Sequence, residues 1–483
     1  MSRINKLIVT YSLLLMASTA VAETADKKSY FIDDPVFGGQ SYIVEAGRNN
    51  KELVVLIHGL GDVASDTWSG VIPALSKRYH VLTFDLPGFG RSSKSNQLYS
   101  PDNYVAFINY VVKQSGHEQF FLVGHSMGGN IALRFASTYP DKVKRLMLVD
   151  AAGILHRFTY TTYFTHFGIQ MVPQFYPQQG SDIRAAVGMI LDELVRNHNL
   201  LEAGELMVLS DPAMRETILG GNPMVIAAYA MMMTDYSKTL SSMKVPTLIL
   251  WGKDDNVTPR RTGKVLATNL PDSGLVVVSN AGHVLMQDKP LIFSNWLTRF
   301  VSESDTEFNE LLKRKSYRIE QDSVNNSKRI ASCKNNSGML FKGDYRLITI
   351  ENCRNVEIES ARIQSLTIRN SQVVLNNCQV NSAGKALLIQ NSDIQMNGCT
   401  ISGTPAIEFS GTQIDIAGSK ITSNGAALKN TDVAPSGQRP RPGSLPDFGQ
   451  DESRLIFSVS FINSKYHEQY LHGPVNILPE QAW

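Results

Sequence analysis

The spacing of apolar residues changes once along this chain of 483 residues, and the change demands two separate cores. Up to about residue 300, short runs rich in β-branched residues alternate with longer amphipathic stretches. Beyond about residue 330 the short runs return every 20 or 21 residues. The first pattern builds a sheet with helices on its faces, whereas the second stacks a repeated unit on itself. The length agrees, because one domain typically takes about 100–200 residues.

In the first half, Glu52–Ile57, His80–Phe84, Gln119–Val123, Val143–Val149, Val245–Leu250 and Leu275–Val278 read as strands bounded by turn residues. Ser100-Pro101 caps a helix running toward Gly116, and Met127–Tyr139 is a second helix. Apolar strands alternating with helices imply a mostly parallel sheet covered on both faces, with chemistry at the carboxyl ends of its strands.

One such end carries Gly124-His125-Ser126-Met127-Gly128-Gly129. Glycines two residues to either side of a serine permit a sharp strand-to-helix turn that lifts its hydroxyl into the open. A serine nucleophile needs a base to take its proton and an acid to orient that base. His283, in Asn280-Ala281-Gly282-His283 after the last apolar strand, is the best placed of the 10 histidines. His125 and His58 read as neighbours of the site. In Trp251-Gly252-Lys253-Asp254-Asp255-Asn256-Val257-Thr258-Pro259 either Asp254 or Asp255 can supply the acid, and the order Ser, Asp, His is that of α/β-hydrolases.

Residues 30–302 resemble the α/β-hydrolase superfamily, in particular its capped esterases, lipases and carbon–carbon bond hydrolases. The matching pieces are His58-Gly59-Leu60-Gly61, Asp85-Leu86-Pro87-Gly88-Phe89-Gly90-Arg91-Ser92, the serine elbow, Trp251–Pro259 and Gly282-His283. The resemblance implies Asp255 as the acid, at the fifth position of W-G-x-x-D-x-x-x-P, with Asp150 as a minor alternative. It also implies the backbone amides of Leu60 and Met127 as the oxyanion hole. Residues 151–244, helical and rich in Met and aromatic residues, resemble the family's cap. Phe158, Tyr160, Phe164, Phe167, Tyr229 and Met231–Met233 either line a pocket there or pack the cap onto the sheet.

In the second half Leu366–Ser371, Leu387–Ser392 and Ile407–Thr412 superpose, and Val356–Ile358, Val373–Leu375, Ile394–Met396 and Ile414–Ile416 keep step with them. Several short strands per 20-residue turn predict an all-β, right-handed parallel β-helix. The repeat aligns Asn352, Asn370, Asn391 and Asn430 as an amide ladder. It also aligns Cys378 with Cys399, between Ala361 and Ser419. Rungs stack about 4.8 Å apart, within the Cα range of a disulfide, so a Cys378–Cys399 bridge is allowed, two stacked free thiols being the alternative. Cys333–Cys353 is the remaining pair. Pro435–Asp451 reads as an excursion and Val459–Ser464 as a last rung. The likeness to pectate-lyase-like solenoids is structural only, since Asp393, Asp415 and Asp432 are scattered and no second active site emerges.

The ends and the composition complete the expectation. Arg3 and Lys6, the apolar run Leu7–Ala17 and Ala20-Val21-Ala22 form a secretory signal peptide over 1–22, too short and polar to anchor the mature chain in a membrane. The hydrolase domain spans 23–302, a charged linker 303–330 and the β-helix 331–483. With 46 basic and 44 acidic residues, no charge excess favours nucleic acid. None of the four cysteines lies in a C-x-x-C pattern, so neither metal nor other cofactor is expected, and an exported chain can keep disulfides. The expected protein is a periplasmic or secreted serine hydrolase, an esterase or lipase acting on a small-molecule or lipid ester. Two other readings are cleavage of a diketone carbon–carbon bond, and a glycan- or surface-binding solenoid that delivers an esterase.

Overall fold

A computed structural model describes residues 27–155, 207–317 and 327–431, together with the strands Arg454–Ser458, Ser460–Tyr466 and Val475–Ile477. The expected signal peptide, the cap residues Phe158, Tyr160, Phe164 and Phe167, and the excursion Pro435–Asp451 lie outside the described residues.

The first domain is built on an eight-stranded sheet ordered β1-β2-β4-β3-β5-β6-β7-β8. Its strands are β1 (Lys28–Asp33), β2 (Gln40–Ala46), β3 (Leu53–Ile57), β4 (His80–Phe84), β5 (Phe120–His125), β6 (Val143–Val149), β7 (Thr247–Gly252) and β8 (Ser273–Val278). From β4 to β8 all pairings are parallel, while β1 and β2 add antiparallel at one edge. Every residue of β3, β4 and β5 is buried, because helices cover both faces. The antiparallel pair escaped the sequence reading. β1 is exposed along nearly its whole length and carries no apolar run to announce it.

Helices α1 (Pro101–Gln114) and α2 (Met127–Thr138) pack against the sheet, α1 capped by the Ser100 hydroxyl, which accepts from Asn103 N at 3.3 Å. In the cap region α3 (Pro212–Leu219), α4 (Pro223–Met232) and α5 (Ser237–Ser242) are described. Tyr229, Met231 and Met233 pack into the sheet's core, and Met232 against Leu155 and Val265, so these four attach the cap to the sheet. After α6 (Arg261–Asn269) and α7 (Pro290–Ser302) comes α8 (Asp305–Arg314), opened by a capping box in which Ser304 and Glu307 exchange hydrogen bonds. Phe308, Leu311 and Leu312 of α8 are buried in the hydrolase core. The first part of the expected linker is therefore an integral helix of the first domain, held by the apolar stripe at 308, 311 and 312.

The second domain stacks parallel strands in three rows. One row runs Val356–Glu359, Gln372–Asn376, Asp393–Asn397, Gln413–Ala417 and Arg454–Ser458. The second runs Arg362–Ile363, Gln379–Asn381, Thr400–Ser402, the strand from Lys420, and Ser460–Tyr466. The third runs Leu366–Arg369, Leu387–Gln390, Ile407–Ser410 and Leu428–Asn430. Both aligned series read from the sequence keep their register, and the segment expected as a last rung pairs there through Phe461 and Ile462. The amide ladder is real at Asn335, Asn352 and Asn370, joined Nδ2 to Oδ1 at 3.0 and 3.1 Å. Asn430 is not part of it, because it pairs with Phe409, while Gly411 sits beside Asn391. Leu428 follows Ile407 by 21 residues, as Leu387 follows Leu366, so the repeat is kept and Asn430 falls at Phe409's position, two residues before that of Asn391 and Gly411.

Cys333 and Cys353 form a disulfide, with Cα atoms 6.4 Å apart. Cys378 and Cys399 do not; of the two alternatives that their shared position left open, the structure has the free thiols. Each sulfur instead faces backbone carbonyls inside the solenoid: Cys378 Sγ lies 3.2 Å from Ile358 O, and Cys399 Sγ 3.6 Å from Leu375 O. Both behave as small buried apolar groups, and burial pushes the Cys378 thiol up. Non-reducing peptide mapping should therefore find Cys333 joined to Cys353, and two thiols that alkylate only after unfolding. A Cys378–Cys399 peptide would overturn the assignment. Removing the observed bridge, which closes a 20-residue separation, should cost up to about 3 kcal/mol.

The two domains dock through α6. Gly398 and Gly418, at stacked positions with φ of 62° and 57°, leave room for the helix: a Cβ on Gly398 would come within 2.1 Å of Thr268 Oγ1, and one on Gly418 within 2.6 Å of Val265 Cγ1. Asn269 Nδ2 donates to Gly418 O at 2.9 Å. Arg261 makes a two-pronged bond to Asp415, and Lys264 reaches Glu357 and Glu359, both at 3.3 Å. The solenoid is thus seated on the helix that directly follows the Trp251–Pro259 loop.

Candidate active site

The turn between β5 and α2 places Ser126 at φ 53°, ψ −121°, a conformation that non-glycine residues rarely adopt. Its flanking glycines are sterically required. A Cβ on Gly124 would lie 2.2 Å from Gly128 O, and one on Gly128 would lie 2.3 Å from Ile57 O. The elbow is therefore pinned between its own helix and the end of β3.

Three loops at the carboxyl ends of the strands meet there. His283, from the loop after β8, brings Nε2 to 2.9 Å from Ser126 Oγ and Nδ1 to 3.0 Å from Asp255 Oδ2. An imidazole that donates Nδ1–H to a carboxylate has its Nε2 lone pair free to accept the serine hydroxyl, so one tautomer satisfies both contacts. Asp255 is held by Val257 N at 2.8 Å and Thr258 N at 3.0 Å, and by the Thr258 hydroxyl. Burial alone would raise its carboxyl; the His283 contact and the Thr258 donors outweigh that and hold it below the usual range. Asp254 is exposed and turned away.

Asp150, the other acid raised by the resemblance, is fully buried at the end of β6 with φ 45°. Its Oδ1 accepts from Gly252 N at 2.7 Å, and its Oδ2 meets no donor. Burial first, then the nearby Asp255 charge, pushes this carboxyl well above the ordinary range, and the protonated form can share its hydrogen with Asp255. It braces the acid loop through Gly252 N.

The glycine loop after β3 borders the serine so closely that a Cβ on Gly59 would come within 2.9 Å of Ser126 Cβ. Leu60 follows it, and Met127 opens α2, where a first-turn amide has no carbonyl of its own helix to meet. His58 and His125 are second-layer supports, as expected. His58 Nε2 accepts from Leu86 N at 2.8 Å, so Nδ1 carries the proton and donates to Gly59 O at 2.6 Å. His125 Nε2 donates to His283 O at 2.8 Å. Burial lowers the first to about 4; burial and then the neighbouring His283 lower the second to about 3.

Sequence reasoning assigned no role to Thr258, Asn130 or the Asp85 cluster. Asn130 Nδ2 donates to Ala152 O and Gly153 O, and its side chain accepts from the Tyr236 hydroxyl, tying the elbow helix to the cap. Asp85 accepts from Arg91 Nε at 2.7 Å and from Ser65 N at 3.0 Å, fixing the loop that follows β4. The Asp-to-Ser segment 85–92 announced itself as a motif, but its work as a brace depends on Ser65, 20 residues earlier. Among the described residues no group of three or more His, Cys, Asp or Glu side chains is placed to hold a metal ion.

A parallel sheet with a serine elbow after β5, an acid after β7 and a histidine after β8 defines an α/β-hydrolase fold. Residues 52–290 match the family described as alpha/beta hydrolase fold, and the domain they form is a hydrolase of that fold. The chain is 28% identical over 270 residues to the uncharacterized hydrolase YugF of Bacillus subtilis (strain 168), covering 55% of this chain and 96% of that protein. It is 26% identical over 279 residues to a 2-hydroxy-6-oxononadienedioate/2-hydroxy-6-oxononatrienedioate hydrolase of Pseudomonas sp., covering 55% and 93%. It is 24% identical over 277 residues to monoacylglycerol lipase abhd6-B of Xenopus laevis, covering 54% and 78%.

Proposed function

We propose that the protein is a serine hydrolase that cleaves carboxylic esters through a covalent acyl-enzyme. The observation that carries this reading is the unbroken relay from Asp255 through His283 to Ser126. Ser126 Oγ attacks the ester carbonyl while His283 Nε2 takes its proton, and the Leu60 and Met127 amides receive the oxyanion. Collapse releases the alcohol, which takes the proton from His283. Water, deprotonated by the same imidazole, then adds to the acyl carbonyl and frees the acid and Ser126. Asp255 holds the imidazole in register and balances its positive charge.

The signal-like segment 1–22 supports export to the periplasm or beyond, and the Cys333–Cys353 bridge suits an oxidising compartment. A second reading, cleavage of a carbon–carbon bond in a diketone by the same residues, is favoured by the Pseudomonas relative and disfavoured by export, since such intermediates arise inside cells. Mature protein assayed on p-nitrophenyl esters of increasing acyl length should turn over, with a preferred length that sizes the pocket. Failure on every ester together with cleavage of a vinylogous diketone would hand the site to the second reading.

A further inference from the structure

We infer that the cleft between the two domains is a binding site for a carboxylate-bearing oligosaccharide, separate from the hydrolytic centre and independent of its ester chemistry. The cleft encloses about 800 Å³, which lies within the range of ligand pockets, and domain interfaces are where such pockets form. Neither Ser126 nor His283 lines it.

Its floor is one row of the solenoid. Glu357, Val374, Gln395 and Asp415 are in-register neighbours on four successive rungs. At about 4.8 Å per rung this floor is roughly 14 Å long and repeats along its length, which matches an extended ligand of repeating units better than a compact metabolite. Its opposite wall comes from the hydrolase: Leu275 and Val277 of the edge strand β8, the acid loop residues Lys253 and Arg260, and α6.

Charge sets the ligand's sign. The acids of the floor are already engaged, Asp415 with Arg261 and Glu357 with Lys264. Lys253 and Arg260 are exposed on the wall and form no ion pair among the described residues. Two uncommitted cations therefore face a neutralised floor, so an anion is attracted. The cleft is also lined by the Gln395 amide, which can both donate and accept, and by the apolar side chains of Val374, Leu275 and Val277. A sugar ring presents the same combination, C–H faces with hydroxyl edges, and a carboxylated sugar adds the charge. An acidic peptide would be expected to pair with the edge of β8, but that edge is already covered at its start, where Leu275 N donates to Lys315 O at 2.9 Å.

The test uses the full mature chain and calorimetric titration with trimers and tetramers of galacturonate, mannuronate and glucuronate. Binding of at least one is expected, weakening as salt rises from about 0.05 to about 0.5 M, with neutral oligosaccharides of equal length bound about tenfold more weakly or worse. The Lys253→Glu/Arg260→Glu double variant and Val374→Trp, which fills the floor without changing charge, should each lose binding by about tenfold or more. Both should keep wild-type melting temperature, and Val374→Trp, remote from the acid loop, should also keep wild-type ester turnover, which separates loss of this site from misfolding. No binding by any carboxylated oligosaccharide at millimolar concentration, binding untouched by both variants, or equal or tighter binding of oligoglutamate would each overturn the inference.

Discussion

Ser126→Ala should lower ester turnover by about 10⁶-fold and Asp255→Asn by about 10⁴-fold, while Asp150→Asn should stay within about tenfold of wild type. The first two losses follow from the relay. Without the Ser126 hydroxyl there is no nucleophile for His283 to activate. With an amide at 255, the ring loses the anion that holds its Nδ1–H and balances the charge it gains, and the other tautomer presents the wrong nitrogen to Ser126. Asp150 is the discriminating case, because its position in the chain would equally suit a triad acid. It is fully buried, burial pushes its carboxyl well above the ordinary range, and its Oδ1 serves as an acceptor for Gly252 N. Asn preserves that acceptor and does not meet His283. Steady-state kinetics of the three purified variants decides the matter: a loss in Asp150→Asn as deep as that of Asp255→Asn would exchange the roles of the two acids.

Acid should destabilise the first domain well above the pH at which carboxylates titrate. His58 and His125 are neutral in the folded state down to about 4 and about 3, whereas both take a proton near 6.5 once unfolded. The unfolded chain therefore binds more protons below pH 6.5. The stability associated with these two rings is fully present above that pH and is lost as pH falls toward their folded values. Two extra protons on the rings correspond to a slope of about 2.7 kcal/mol per pH unit, and Asp150, whose carboxyl is raised on folding, opposes it with one proton of the other sign, leaving about 1.4. Asp85 and Asp255, whose carboxyls are lowered on folding, withdraw their support only near and below the ordinary carboxylate range, so the histidines dominate between pH 6 and 5. Three of the four tryptophans, Trp68, Trp251 and Trp296, lie in this domain, and in a Trp483→Phe background their fluorescence gives its guanidinium midpoint. The midpoint should fall from pH 7.5 to 5, and His125→Gln, which keeps a donor for His283 O, should remove about 1.4 kcal/mol per pH unit and leave the midpoint nearly flat. A midpoint that is flat over that interval would show that these rings are protonated in the folded protein.

How much was legible varied with how local the cause was. The strands His80–Phe84 and Val143–Val149 were readable because strands covered on both faces concentrate apolar residues, here Val81-Leu82 and Leu146–Val149, between turn residues. β1 was invisible for the converse reason: as an exposed edge strand it has no such run. Asp254 and Asp255 were indistinguishable by composition; the resemblance pointed to Asp255, and in the structure it is Asp255 that accepts from Val257 N and Thr258 N and meets His283. Cys378 and Cys399 were correctly stacked by the repeat, and the structure keeps them as two neighbouring thiols that also approach the carbonyls of Ile358 and Leu375.

The amino-acid sequence by itself determined the elements whose physics is confined to a few neighbouring residues or to a fixed period. These are the Gly-x-Ser-x-Gly turn, whose glycines answer clashes arising within one strand–helix junction, and the solenoid rungs, whose register any 20-residue repeat must keep. Tertiary structure alone decided what depends on segments far apart in the chain. It buried Asp150 beside Asp255, made the start of the expected linker a core helix, and set α6 against Gly398 and Gly418 so that the acid loop forms one wall of a cleft floored by the solenoid. Those outcomes rest on the relative placement of whole elements, which local propensity and periodicity do not specify.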